Sequence, residues 1–259
     1  MKTPLFYTAP PAFVAPPAFK ETLQSLWAFA RRPRLLRREH NVVEVKLPLI
    51  FQLALVELVL QTLLFVALAL LYSTLGLEYL GAGLSKSFDA SFPFLPLFVA
   101  AVLLAPVTEE LIFRLPLVFS GSYLLVACIT FLVSFGPSLA HAFGVPLLYY
   151  FIAAALLLAM GAWLLVSRQL RVRLHLFWRK HFGFVFYTST AVFSLLHLLN
   201  YQGSTLPFVM LLPLLLPKFL AGIFLGYARL RLGLGWAVAL HMFSNFVILL
   251  LLLGYWARI

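Results

Sequence analysis

Apolar residues run almost unbroken along most of this chain, and polar positions come in short clusters between the runs. A helix that crosses a bilayer needs about 20 mostly apolar residues. On that measure the pattern predicts seven spans, near 47 to 73, 94 to 118, 122 to 137, 146 to 166, 183 to 201, 207 to 228 and 234 to 255. The third is short, and is expected to tilt little or to dip only partway. The expected fold class is all-α, a polytopic transmembrane helix bundle. No internal repeat and no linker to a second domain interrupts it. Residues 1–46 read as a cytoplasmic tail and basic interfacial segment, and 47–259 as the transmembrane helical domain.

Composition strengthens the membrane reading. The chain is 63% hydrophobic and 10% charged, more apolar surface than a soluble domain of this size can hide. Its formal charge of +11 does not point to nucleic acid, because the Lys and Arg residues flank apolar spans instead of forming a polar, aromatic-bearing face. The basic clusters RRPRLLRREH (31–40), SRQLRVRLHLFWRK (167–180) and RLRLG (229–233) read as loops that fall on one side if the N-terminus is cytoplasmic. The mostly neutral loops around 74–92 and 138–145 then lie outside with the C-terminus, with Lys86 and Arg258 as mild exceptions. This predicts a multi-pass protein of a bacterial cytoplasmic membrane. The segment Glu21 to His40 reads either as an amphipathic surface helix meeting anionic headgroups or as a simple topology anchor. Residues 1–20 lack the layout of a signal peptide and read as an irregular tail. Cys128, the single cysteine, has no internal disulfide partner and reads as a small core residue.

Three carboxylates stay deep in the spans: Glu57, Glu109 and Glu110. Each costs roughly 2.5–3.5 kcal/mol at the bilayer centre, and such groups generally face the bundle interior and mark function. Glu110 and Arg114, four apart in EELIFR, share a helix face and can pair. Glu109 lies about 100° around the helix and has no basic residue at its own spacing, which leaves it as a candidate general base or as one member of a structural triad. Glu57 and Lys218 sit at matched depth, which predicts an ion pair between the first and sixth spans; a catalytic Lys218 is the alternative.

Two further spans carry polar groups. In FSLLHLLNY, Phe193 and His197 share a face; in HMFSNF, His241 and Asn245 do the same. One polar cavity inside the bundle can satisfy all of them. A carboxylate with a neutral imidazole can orient water and take its proton, while a second imidazole and a carboxamide can donate to a developing oxyanion. That set suits amide hydrolysis without a covalent intermediate.

These residues resemble a known family. EELIFR (Glu109, Glu110, Arg114), FSLLH (Phe193, His197) and HMFSN (His241, Asn245) are similar to the ordered motifs EExxxR, FxxxH and HxxxN of the CPBP family, the CAAX proteases and bacteriocin-processing enzymes, also called Abi. The resemblance covers roughly residues 94–255. It implies an intramembrane endopeptidase of the glutamic type, in which Glu109 and His197 activate water, His241 and Asn245 form the oxyanion site, and Glu110, Arg114 and Phe193 support them. Substrates would be hydrophobic or membrane-associated polypeptides, with CAAX-like tails or leader peptides as two options.

No cofactor is expected. Zinc is the alternative, because two histidines and a glutamate could ligate it, although the HExxH arrangement is absent and Asn245 replaces a third strong ligand. Counted by residue, Glu109 and His241 lie nearer the cytoplasmic end than His197. His40, His141, His175 and His181 read as solvated or interfacial, Gly222 and Gly226 as a close-contact pair, and Pro213 and Pro217 as kinks in the sixth span. Two non-protease readings stand beside the enzyme: a bacteriocin-immunity or interaction protein with a structural polar core, and a proton-coupled transporter.

Overall fold

The computed structural model describes residues 16–75, 94–201 and 208–256. The N-terminal tail to residue 15 and the loop holding Lys86 lie outside the described residues, as does Arg258. Among the described residues there is no strand. The helices are α1 (Phe19–Arg31), α2 (Leu47–Thr74), α3 (Ala105–Phe113), α4 (Gly121–Ala142), α5 (Leu147–Val166), α6 (Arg168–Lys180), α7 (Phe182–Leu196), α8 (Leu215–Arg231) and α9 (Leu234–Trp256).

Six segments are long and apolar enough to cross a bilayer: Val42–Thr74, Phe94–Leu117, Gly121–Ala142, Leu147–Val166, Phe182–Asn200 and Leu234–Leu251. Only 6% to 28% of each apolar window is buried against protein, so lipid must cover the rest. The predicted sixth span is a broken one. Its helix α8 has 17 residues, about 25 Å at the helical rise, and a turn at residues 212–214 separates it from the short helix Phe208–Leu211. Pro213 sits in that turn, where it cannot donate to a continuing helix. A count of seven full spans is therefore not reached among the described residues.

Two other expectations change. The third span is not short: α4 continues through Pro137 to Ala142, and the Tyr150 hydroxyl donates to the Leu132 carbonyl one turn earlier at 2.8 Å. The basic tract at 167–180 is not a loop. Ser167 accepts a hydrogen bond from the Leu170 amide at 3.3 Å and caps α6. At the N-terminus, α1 occupies only part of the segment from Glu21 to His40, and stops before Pro33, which disfavours a helical conformation at Arg32.

The largest apolar cluster lies at one end of the bundle. It joins Leu26 and Phe29 of α1, Leu49 and Leu53 of α2, Phe186 of α7, Leu225 of α8 and Leu240 of α9. Polar ties fix the same junction: Thr22 donates to Gln52, Ser25 bonds Tyr227, and Tyr187 donates to the Ala30 carbonyl. Gly233 turns the chain from α8 into α9 at φ 116°, a conformation that favours glycine. Helices α7 and α8 pack antiparallel. A Cβ on Gly222 would stand 2.7 Å from Thr190 Cγ2 and 3.3 Å from an Arg114 terminal nitrogen, and one on Gly226 would strike the Phe186 ring. The Gly222/Gly226 pair therefore permits close helix approach, as its spacing suggests. Gly222→Val is expected to force these helices apart and cost about 1–3 kcal/mol. Thermal unfolding in detergent should show a lowered Tm; an unchanged Tm would show that the contact is not tight.

Candidate active site

The second span bends where its sequence cannot keep a regular helix. Residues Val99–Leu104 form a π-helical stretch, in which each carbonyl looks to the amide five residues on. The Ala105 amide accordingly bonds the Ala100 carbonyl. The next residue is Pro106, which has no N–H, so the Ala101 carbonyl lacks a backbone donor in this register. Asn245 on α9 supplies one, its Nδ2 donating to Ala101 O at 2.9 Å. The amide carries a second hydrogen that this bond does not use.

At its other end α3 stops at Phe113, and neighbouring helices satisfy the exposed carbonyls. Ser189 of α7 donates to Phe113 O at 2.8 Å. Arg229 of α8 donates through Nε to Arg114 O at 3.1 Å and through Nη2 to Leu115 O at 3.5 Å. Together these contacts fix the one-turn segment that carries Glu109, Glu110 and Arg114.

Glu110 is fully buried, and its Oε1 is 3.5 Å from Arg114 Nε and 3.0 Å from His241 Nδ1. A carboxylate accepts, so Nδ1 carries a proton, and Nε2 is the second ring nitrogen. That Nε2 lies 3.6 Å from Glu109 Oε2. The single imidazole of α9 thus stands between both adjacent carboxylates of α3. Arg114 is held on its other side by an aromatic face, its guanidinium carbon 3.9 Å from the Phe193 ring centroid.

Phe193 is the ring on which the polar groups converge. Its centroid is 4.8 Å from that of His197, 6.0 Å from His241 and 5.4 Å from Phe113. His197 donates from Nδ1 to the Phe193 carbonyl at 2.8 Å, which leaves Nε2 as the basic nitrogen of a neutral ring. A cavity of ≈ 40 Å³ opens beside these groups, lined by Glu109, Phe113, Phe135, Phe193, Leu196, His197 and Asn200. That is room for a water molecule with polar partners.

The structure thus brings Glu109 and His197 to one cavity with Phe193 in its wall. Glu110, Arg114 and His241 form a buried network next to Glu109. Asn245 reaches the backbone of the same span at Ala101. The depth offset between Glu109 and His197 does not separate them, since both line the same cavity.

The expected Glu57–Lys218 ion pair does not form. Glu57 is 2% exposed and has Ser244 of α9 beside it, although the Ser244 hydroxyl donates to the Leu240 carbonyl at 3.0 Å. Lys218 interacts electrostatically with both Glu109 and Glu57 but approaches neither within 4.0 Å. Ser194 of α7 donates to the Leu215 carbonyl at 2.7 Å, which places Lys218 one turn further into the bundle on the adjoining helix. Two residues escaped notice in the sequence. Ser244 lies in HMFSNF three after His241, and Asn200 lies three after His197, where a 3₁₀ turn eclipses the two side chains. Both signals were present as spacing.

Among the described residues no three His, Cys, Asp or Glu side chains come together as a metal-ion ligand set. His241 Nδ1 is already committed to Glu110.

A family model for type II CAAX prenyl endopeptidase Rce1-like proteins matches residues 91–247. The chain belongs to this family. No curated protein and no solved structure matches it. The Rce1-like region begins just before the second span and ends just past Asn245, so it contains Glu109, His197 and His241 but neither α1 nor Glu57. It is a family of proteases, and the apolar spans make this member an integral, multi-pass membrane protein.

Arg114→Leu is expected to destabilise the bundle by about 3–5 kcal/mol, because it strands the Glu110 charge in the interior. Arg114→Lys keeps a cation but loses the planar stack on Phe193, and should fall between. Equilibrium unfolding in mixed micelles ranks the three proteins; equal stability would show that the pair carries no load.

Proposed function

We propose that this protein is an intramembrane endopeptidase in which Glu109 and His197 activate a water molecule against a peptide bond. The observation that supports this best is their placement on one small cavity from two different spans. In this reading the water donates its proton to Glu109 and attacks the scissile carbonyl carbon. His197 Nε2 accepts the water's other hydrogen bond and fixes its direction. The tetrahedral oxyanion meets donors from α9, the unused N–H of Asn245 and the Nε2–H of His241, a role that requires a proton on each nitrogen of that ring. Glu109 then passes its proton to the departing amine, which restores the base. Glu110 and Arg114 position His241, and Phe193 holds His197 and Arg114 by ring contacts.

The reading extends to the whole chain. Residues 47–259 form the catalytic bundle, with 94–255 as its protease core, and residues 1–46 form a cytoplasmic surface segment. The substrate is a hydrophobic or membrane-associated polypeptide, with a CAAX-like tail or a leader peptide as the two chemical forms that suit a cleft within the bilayer. The N-terminus faces the cytoplasm of a bacterium, with the three basic tracts on the same side.

Glu109→Gln preserves shape while removing the base, and should reduce cleavage of a membrane-tethered peptide by about 10²–10⁴-fold with little change in Tm. His197→Ala should have an effect of similar order, and a chelator should leave the wild-type rate unchanged. Undiminished cleavage by Glu109→Gln would remove Glu109 from the chemistry. Loss in chelator with recovery in Zn²⁺ would restore the metal reading.

A further inference from the structure

Helix α1 has an apolar edge that no other described residue covers. Thr22, Leu26 and Phe29 face inward and are buried. Phe19, Leu23 and Trp27 recur every four residues as a second ridge, and are 44%, 38% and 66% exposed. Arg31 continues the ridge by a further turn, and Lys20 stands beside Trp27 on the helix wheel. From core to solvent the helix therefore passes through an apolar edge and then a basic edge. That order suits a helix lying in the plane of a bilayer, with aromatic rings among the upper acyl chains and basic groups at headgroup level.

Helix α6 repeats the arrangement. It has no buried residue, and Val172, Leu176 and Phe177 are 51%, 59% and 46% exposed. On the wheel, Arg168 and Arg179 stand beside Val172, while Arg173 and Lys180 lie between Leu176 and Phe177, so basic groups border each exposed apolar residue. The two helices belong to the same end of the bundle. Trp178 of α6 and Phe29 of α1 meet in one apolar cluster, and Tyr187, one turn into α7, donates to the Ala30 carbonyl. The basic tract after α1 is tied down there as well, since Glu39 pairs with Arg231 at 2.8 Å.

We propose that α1 and α6 form a collar in the membrane plane that docks on a surface of anionic lipid headgroups. Charge selects this occupant. Lys20, Arg31, Arg173, Arg179 and Lys180 border the exposed apolar edges, and among these two helices only Glu21 opposes them. A zwitterionic surface would cover the apolar ridges equally well but leave the cations without counter-charge. The proposal is independent of the protease reading and of the site inside the bundle.

Trp27 provides the probe. The protein is reconstituted in bilayers holding brominated phosphatidylglycerol or brominated phosphatidylcholine at equal mole fraction, and the quenching due to Trp27 is obtained by subtracting a Trp27→Phe variant, since the chain has five tryptophans. Stronger quenching by the anionic lipid is expected at low salt. The preference should fall by about fivefold for each basic residue neutralised in Lys20→Gln and Arg31→Gln, and collapse in 1 M salt, where the screening length is about 3 Å. The salt titration needs no charge-neutralised variant and holds even if Lys20→Gln or Arg31→Gln disturbs folding. Equal quenching by the two lipids, quenching by neither, or a preference that survives both salt and neutralisation would each overturn the proposal.

Discussion

The carboxylate of Glu110 has no exposed surface, and the contacts of the site converge on its Oε1. Leaving such a charge unpaired in a low-dielectric interior is far more costly than a hydrogen bond can offset, so two partners are brought to it. Arg114, one turn along the same helix, supplies the cation at 3.5 Å, and His241, from the last span, supplies an N–H at 3.0 Å. The first contact is local. The second sets where α9 stands against the second span, and so fixes the ring nitrogen that faces Glu109.

Other contacts extend this arrangement. The guanidinium of Arg114 needs a surface for its plane, and Phe193 gives it one while also packing against His197. Pro106 prevents a regular helix just before the paired glutamates, and the carbonyl it orphans is taken by Asn245. The second span therefore engages both polar residues of the last motif, Asn245 at Ala101 and His241 at Glu110. Asn245 holds a structural bond at Ala101, and its second amide hydrogen is the one that the proposed chemistry uses.

Much of this could be read from spacing, because helices place residues three or four apart on one face. Glu110 with Arg114, Phe193 with His197, and the contrast with Glu109 all follow from that rule, and the structure joins them as neighbours. What escaped was long-range or turned on a break in periodicity. Depth along two separate spans suggested Glu57 beside Lys218, but depth says nothing of azimuth, and Ser244 met Glu57 instead. The tract at 167–180 was dense enough in charge to resemble a loop, and its capping Ser167 and the turn-spaced Leu170, Leu174 and Trp178 went unweighted. Asn200 became visible only once the chain at His197 tightened into a 3₁₀ turn. The family match spans residues 91–247, and α1 and Glu57 lie outside it.

The account depends on the second and last spans being locked together through Glu110. A double-mutant cycle with Glu110→Gln and His241→Phe, measured by reversible unfolding in mixed micelles, tests this most directly. The predicted result is a coupling of about 1–3 kcal/mol, the range for residues in one buried network. Effects that add within about 0.5 kcal/mol would mean that the two side chains do not meet, and the pocket beside Glu109 would lose the contact that shapes it.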